Sequence, residues 1–149
     1  GKYLKSGNPF IKRQVDSRIL AQELSPMVML DVDGTRVSFC VERVATMSGQ
    51  GMASAGSLMH TAGMIEGTIY GLFGDGINVY ESVRPATWMK ELGLHGKKKV
   101  KGFNPMKEFV VEKLGITQRI NKDVADALCI AWYCYLMHKE GPAEVELPF

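Results

Sequence analysis

The sequence predicts an α/β domain, a sheet flanked by helices, and three features of its 149 residues carry that prediction. Two short stretches, Val37–Val44 and Ile77–Val83, are rich in the β-branched and aromatic side chains that favour strands. Between them, from Ala53 to Phe73, apolar residues recur at helical spacing, giving the strand, helix and strand order from which α/β sheets are built. Near the C-terminus, from Val124 to Tyr135, the chain is apolar on nearly every side, the mark of a helix buried in the middle of a domain.

Composition bounds the rest. With 46% hydrophobic and 23% charged residues the chain has ordinary globular make-up, which excludes disordered, collagen-like and coiled-coil classes. One domain spanning 1–149 is expected. No apolar run approaches the roughly eighteen residues of a membrane span and no signal peptide is visible, so a soluble protein with no membrane partner is expected. The cysteines Cys40, Cys129 and Cys134 are odd in number, and the last two lie on one helix at a separation where their side chains diverge. Neither a disulfide framework nor zinc spacing is present, which fits a reducing cytoplasm. A net charge of +2 says little about partners, and local clusters say more.

Residues 1–14 are polar and basic, with Lys2, Lys5, Lys12 and Arg13 around a Gly7-Asn8-Pro9 loop signal. From Val15 to about Met27 the spacing of Val15, Ile19, Leu20 and Leu24 predicts a surface helix with Asp16 in its first turn. Met27 to Val44 permits two readings. Asp33-Gly34 is the turn of a hairpin, or the helix runs on to Leu30 and a loop leads into a strand from Val37 to Val44. In both, Ser38, Cys40 and Glu42 share one face of the strand. Glu42 is then a carboxylate near the strand's C-terminal end, where open α/β sheets place functional groups.

After a flexible Ala45–Gly51 connection, the long helix carries Gly56, Gly63, Gly67 and Gly71. Each costs about 1 kcal/mol in a helix relative to alanine, which implies close approach by another backbone. Packing against the sheet and a dimer contact both fit. Gly74-Asp75-Gly76 then turns into the second strand, and Arg84 to Lys90 begins a short helix with Pro85 in its first turn. Gly93 to Gly102 is the most basic segment, with Lys97, Lys98, Lys99 and Lys101 between glycines, a pattern of solvated loops that also suits phosphate contact. Lys107 opens a helix to about Leu114, and Gly115 closes it.

Two carboxylates stand at the entrance of the apolar C-terminal helix. Asp123 and Asp126 are one helical turn apart on the same face. At roughly 6 Å and an effective dielectric near 20, their charges repel by about 3 kcal/mol, which a divalent cation would remove. A purely structural reading also exists, with the aspartates complementing the helix dipole and Asn121 as N-cap.

In this order, Phe39-Cys40-Val41-Glu42-Arg43-Val44, Gly49-Gln50-Gly51, the glycine-studded helix, Val83-Arg84-Pro85-Ala86-Thr87-Trp88-Met89-Lys90, the lysine loop and Asp123-Val124-Ala125-Asp126-Ala127-Leu128 resemble the RuvC family of Holliday-junction resolvases, nearest its phage and organellar branch. The resemblance covers roughly residues 12–135. It implies a ribonuclease H-like fold, a mixed sheet flanked by helices on both faces, and a homodimer that cuts opposed strands of four-way or otherwise branched DNA. It also implies Mg²⁺, with Mn²⁺ able to substitute, held by Glu42, Asp123 and Asp126 as catalytic and metal residues. Lys97, Lys98, Lys99, Lys101 and Lys107 would hold DNA phosphates. The implied location is cytoplasmic, at a nucleoid or in a phage-infected host, or within an organelle. The family's fourth carboxylate lies in an Asp-Pro-Gly-like first strand, and this chain, which starts Gly-Lys-Tyr-Leu, has no such segment. An N-terminally incomplete domain is therefore expected.

The chemistry fits those residue types. Phosphodiester cleavage needs an activated water and neutralised charge on the leaving oxygen, and carboxylate oxygens are the ligands that Mg²⁺ prefers. Two rivals exist. A non-catalytic DNA-binding relative would keep the basic loop and the glycine helix. A haloacid dehalogenase-like phosphatase would use Asp31 as nucleophile and Asp33 as acid, with Gly74-Asp75-Gly76-Ile77-Asn78 as its metal motif, but too few residues separate the two motifs. His60, His95 and His138 show no metal-ligand spacing, and Trp88 suits helix packing better than base stacking.

Overall fold

A computed structural model describes residues 15–28, 36–43, 45, 49, 51–97 and 100–139. They form helix α1 (Ser17–Val28), strand β1 (Val37–Glu42), helix α2 (Met52–Phe73), a 3₁₀ turn (Gly74–Gly76), strand β2 (Ile77–Val83) and helices α3 (Pro85–Glu91), α4 (Pro105–Leu114) and α5 (Lys122–His138). The α/β class stands. The hairpin and extended-helix readings of 29–35, together with Asp31 and Asp33, lie outside the described residues, as do Lys98 and Lys99.

The chain divides into two compact units. The first comprises residues 1–34 and 46–74, and in it α1 packs against α2. Asp16 starts α1 by accepting the Arg18 backbone N–H at 2.9 Å and its guanidinium at 3.1 Å, and this hydrogen bond holds the carboxyl below its usual range. In α2 the close approach implied by four glycines is not made by any of the described residues of the same chain. Among the described residues, a Cβ placed at Gly56, Gly63, Gly67 or Gly71 would meet no atom within 4 Å.

The second unit comprises residues 35–45 and 75–149. Its sheet, among the described residues, is the parallel pair β1–β2, with Cys40 beside Glu81 and Glu42 beside Val83. Parallel neighbours require a long crossover, which the sequence between them supplies. The β1 strand ends two residues short of the expected Val44, although Arg43 still donates to the Val83 carbonyl at 2.7 Å.

The core of this unit joins Val83, Trp88, Leu94, Met106, Val110 and Cys129, of which Trp88, Val110 and Cys129 are wholly buried. Trp88 is thus a packing residue. Helix α4 begins two residues before the expected Lys107, because Asn104 caps it, accepting from the Met106 and Lys107 N–H groups at 3.0 and 3.4 Å, with Pro105 in its first turn. Gly115, at φ 65°, ends it in the left-handed region that suits glycine.

Helix α5 packs on α4, β1 and α3. It buries Ala125, Cys129, Ile130, Tyr133 and Cys134, yet Val124, Tyr135 and Met137 remain exposed. The expectation of a helix buried all round is therefore corrected. Its partners among the described residues are gathered on one side, and the Ala127, Ala131 and Tyr135 side faces outward.

Candidate active site

The predicted carboxylates come from two elements that pack together. Glu42 is the last residue of β1, and α5, which lies against β1, begins at Lys122. Asn121 is the N-cap as expected, its Oδ1 accepting the Val124 N–H at 2.8 Å. This cap fixes where the helix starts, and so places Asp123 and Asp126 at the end of α5 nearest Glu42. Glu42, Asp123 and Asp126 line one open cavity of about 400 Å³, together with Cys40, Val41, Lys122, Ala127 and Ile130.

Each carboxylate has a distinct setting. Glu42 is exposed, and its Oε2 accepts the indole N–H of buried Trp88 at 3.2 Å, so a core residue orients it. Asp123 is exposed in the first turn of α5. Asp126 is half-buried: Oδ2 pairs with Lys122 Nζ at 3.2 Å, and Oδ1 is buried without a hydrogen-bond partner among the described residues. Such an orphaned charged acceptor costs about 1–3 kcal/mol or more unless something meets it.

Lys122 was absent from the predicted set. Its ammonium is held above the usual lysine range, first by the hydrogen bond and charge of Asp126 and then by Asp123 and Glu42. It therefore relieves part of the repulsion that the sequence assigns to a metal ion. The signal was available as the Lys122/Asp126 pair at i,i+4 spacing. The oxygens of the three carboxylates are not drawn into one tight set: among the described residues, the ligand atoms that all lie within 4.8 Å of one another are those of Cys40, Cys134 and His138. Even so, the donors are of the kind Mg²⁺ takes, and the orphaned Asp126 Oδ1 is an oxygen a cation would satisfy.

The basic residues divide. Lys97 and Lys101 are exposed. Lys101 rides a tight turn in which Phe103 N–H donates to the Val100 carbonyl at 2.9 Å, and Gly102 takes φ 84°, a conformation that requires glycine. Lys107 lines two cavities, one reaching that turn and one shared with Arg119, Ile120, Asn121 and Lys122. Since Lys122 also lines the carboxylate cavity, Lys107, Arg119 and Lys122 edge a cationic track leading up to the acids. Arg119 was not predicted, because an isolated arginine in an irregular connection carries no periodic signal.

No protein-family model and no curated protein sequence matches the chain. Among solved structures it is similar to the Thermus thermophilus RuvC structure, at 17% identity and a TM-score of 0.49, over 88% of this chain and 76% of that one.

The absence of metal-ligand spacing around the histidines and cysteines is corrected by a second cluster. Cys134 and His138, four apart on α5, meet Cys40 of β1. Glu81 of β2 accepts from Cys40 Sγ at 3.7 Å and Tyr133 Oη at 3.3 Å, and its Oε2 lies 3.1 Å from His138 Nε2. A hydrogen bond shared by the two thiols pushes Cys40 up and draws Cys134 below the usual range. Cys129 diverges as expected, donating to the buried Met106 carbonyl at 3.7 Å, and burial pushes its thiol up to about 11. His60 and His95 are exposed. The signal in the sequence was the helical Cys134/His138 spacing; Cys40 could be added only by knowing that β1 packs on α5.

No helix among the described residues is long and apolar enough to cross a membrane.

Proposed function

We propose that the chain is a structure-selective endonuclease that hydrolyses phosphodiesters in four-way or branched DNA with Mg²⁺ held by Glu42, Asp123 and Asp126. In this reading it is a single RuvC-like nuclease domain over 1–149, ribonuclease H-like, with a mixed sheet flanked by helices on both faces. It works as a homodimer in the compartment holding the DNA. The observation that carries the reading is the meeting of three carboxylates from β1 and α5 in one cavity, with Asp126 Oδ1 buried and without a partner among the described residues.

Bound there, Mg²⁺ supplies an activated water and neutralises charge on the leaving oxygen. Trp88 holds Glu42 Oε2 in a fixed position, so one ligand is set by the core rather than by a mobile rotamer. Lys122 pairs with Asp126 Oδ2 and offers an ammonium to a phosphate oxygen beside it. Lys107 and Arg119, with Lys97 and Lys101 on the loop, hold phosphates on the approach and read no base. The glycine stripe of α2, where an added Cβ would meet no atom of the described residues within 4 Å, is compatible with a contact between two copies.

The decisive experiment is cleavage of a synthetic four-way junction by the full chain with Mg²⁺, with EDTA, and by Asp126→Asn. Symmetrical paired nicks are expected, abolished by EDTA and reduced at least about a hundredfold in the variant, the few kcal/mol that metal-held charge supplies. Junction binding without nicking, indifferent to both treatments, would instead establish a non-catalytic DNA-binding protein.

A further inference from the structure

The second cluster of ligating groups has no part in the chemistry proposed for the carboxylates, although Cys40 lines both cavities. Cys40, Cys134 and His138 offer two sulfurs and one nitrogen within 4.8 Å of one another, and all three line a cavity of about 350 Å³, adjoining the carboxylate cavity at Cys40 and Ala127, that gives an ion a route in. Glu81, the parallel neighbour of Cys40, adds an oxygen 3.7 Å from Cys40 Sγ and 3.1 Å from His138 Nε2. In a tetrahedral zinc site, the usual bond lengths put sulfur and oxygen about 3.6 Å apart and nitrogen and oxygen about 3.4 Å apart. The observed separations sit close to both edges before any ion is bound. Tyr133, donating to the other Glu81 oxygen at 3.3 Å, is the outer partner that orients a carboxylate ligand.

We infer that Cys40, Cys134, His138 and Glu81 form a structural Zn²⁺ site that ties β1, β2 and α5 together. The donor set excludes Mg²⁺, which takes oxygen ligands, and matches a borderline-soft cation that accepts thiolate and imidazole. Binding exchanges the two thiol protons for one metal ion, so up to two protons leave, and two thiolates with one carboxylate leave the site at −1. Cys40, Cys134 and His138 are already gathered, whereas Glu81 stands outside the set within 4.8 Å and its carboxylate would shift toward Cys134 to close the site as the fourth ligand. Its consequence is mechanical. Cys40 is two residues before Glu42 on β1, and Cys134 is two turns beyond Asp126 on α5, so the ion would pin the elements that carry the carboxylates.

The test is a Co²⁺ titration of the reduced, metal-stripped full chain, read by thiolate-to-cobalt charge transfer and the intense visible bands of tetrahedral cobalt. Saturation at one equivalent and displacement by Zn²⁺ are expected. The charge-transfer intensity should fall by about half in Cys40→Ser and in Cys134→Ser, and be unchanged in Cys129→Ser and Asp126→Asn. His138→Asn should bind at least tenfold more weakly, and Tyr133→Phe about tenfold more weakly. If a cysteine variant loses its helical circular dichroism, His138→Asn decides: unchanged affinity overturns the site. No charge transfer in the wild type also overturns it, as does a signal that only Cys129→Ser removes. So does a single titratable thiol before reduction, the mark of a Cys40–Cys134 disulfide in its place.

Discussion

At the scale of single residues, Asp126 is the position where stability and function pull apart. Its Oδ2 is paired with a half-exposed lysine, an interaction of about 0–1 kcal/mol, while its Oδ1 is buried with no partner among the described residues. A side chain in that state is stabilised by whatever cation reaches it. At ten times its dissociation constant, Mg²⁺ would add about 1.4 kcal/mol to the folded state. For a chain of this length that raises the melting temperature by roughly 3 to 6 °C. The Mg²⁺-dependent shift, measured by calorimetry against EDTA, should be present in the wild type and absent in Asp126→Asn. Equal shifts in both would place the ion elsewhere. Lys122 has its own pH signature. Its folded value lies above the unfolded one, so its contribution is complete below the ordinary lysine range and is lost as pH rises through the raised value. Across neutral pH Lys122 therefore offsets part of the negative charge of the cluster with or without a metal.

At the scale of elements, α5 joins the two candidate sites, with Asp123 and Asp126 in its first turns and Cys134 and His138 in its last. Its start is set by Asn121, and removing an N-cap costs about 1 kcal/mol. Asn121→Ala should therefore lower the melting temperature by roughly 2 to 4 °C, read by circular dichroism. No change would mean that packing on α4 and β1, not the cap, holds the first turn. This helix also marks how far the sequence could be read. Its existence, cap and paired aspartates followed from local chemistry, as did β2, whose bounds at Ile77–Val83 came out as expected. Glu42 was legible because strand alternation and strand ends are local properties. Which side of α5 would be covered was not legible, since an apolar helix does not announce how many partners it has. Cys40 and Glu81 joined Cys134 and His138 only through the parallel register of β1 and β2, a contact across forty-one residues of chain that no spacing rule contains. Arg119 and Lys122 escaped for the same reason: their importance lies in which cavity they line.

At the scale of the whole molecule, a net charge of +2 gives no general attraction for nucleic acid, so binding depends on where the cations sit. Lys107, Arg119 and Lys122 edge successive cavities, of about 320 and 530 Å³ at the approach, that end at the carboxylates. A phosphate backbone laid along them would release about 0.9 counterions per phosphate neutralised, which appears as the slope of log affinity against log salt. The paired variant Lys107→Ala, Arg119→Ala should reduce the magnitude of that slope by about 1.8, measured by fluorescence anisotropy of a labelled junction across a salt series. Lys97→Ala with Lys101→Ala tests the loop in the same way. If only the loop pair changes the slope, DNA crosses the Val100–Phe103 turn without following the track to Asp126. If only the track pair does, the most basic segment of the sequence is a solvated loop. A change from both, of similar size, would make loop and track one surface, with the scissile phosphate delivered at its end beside Lys122.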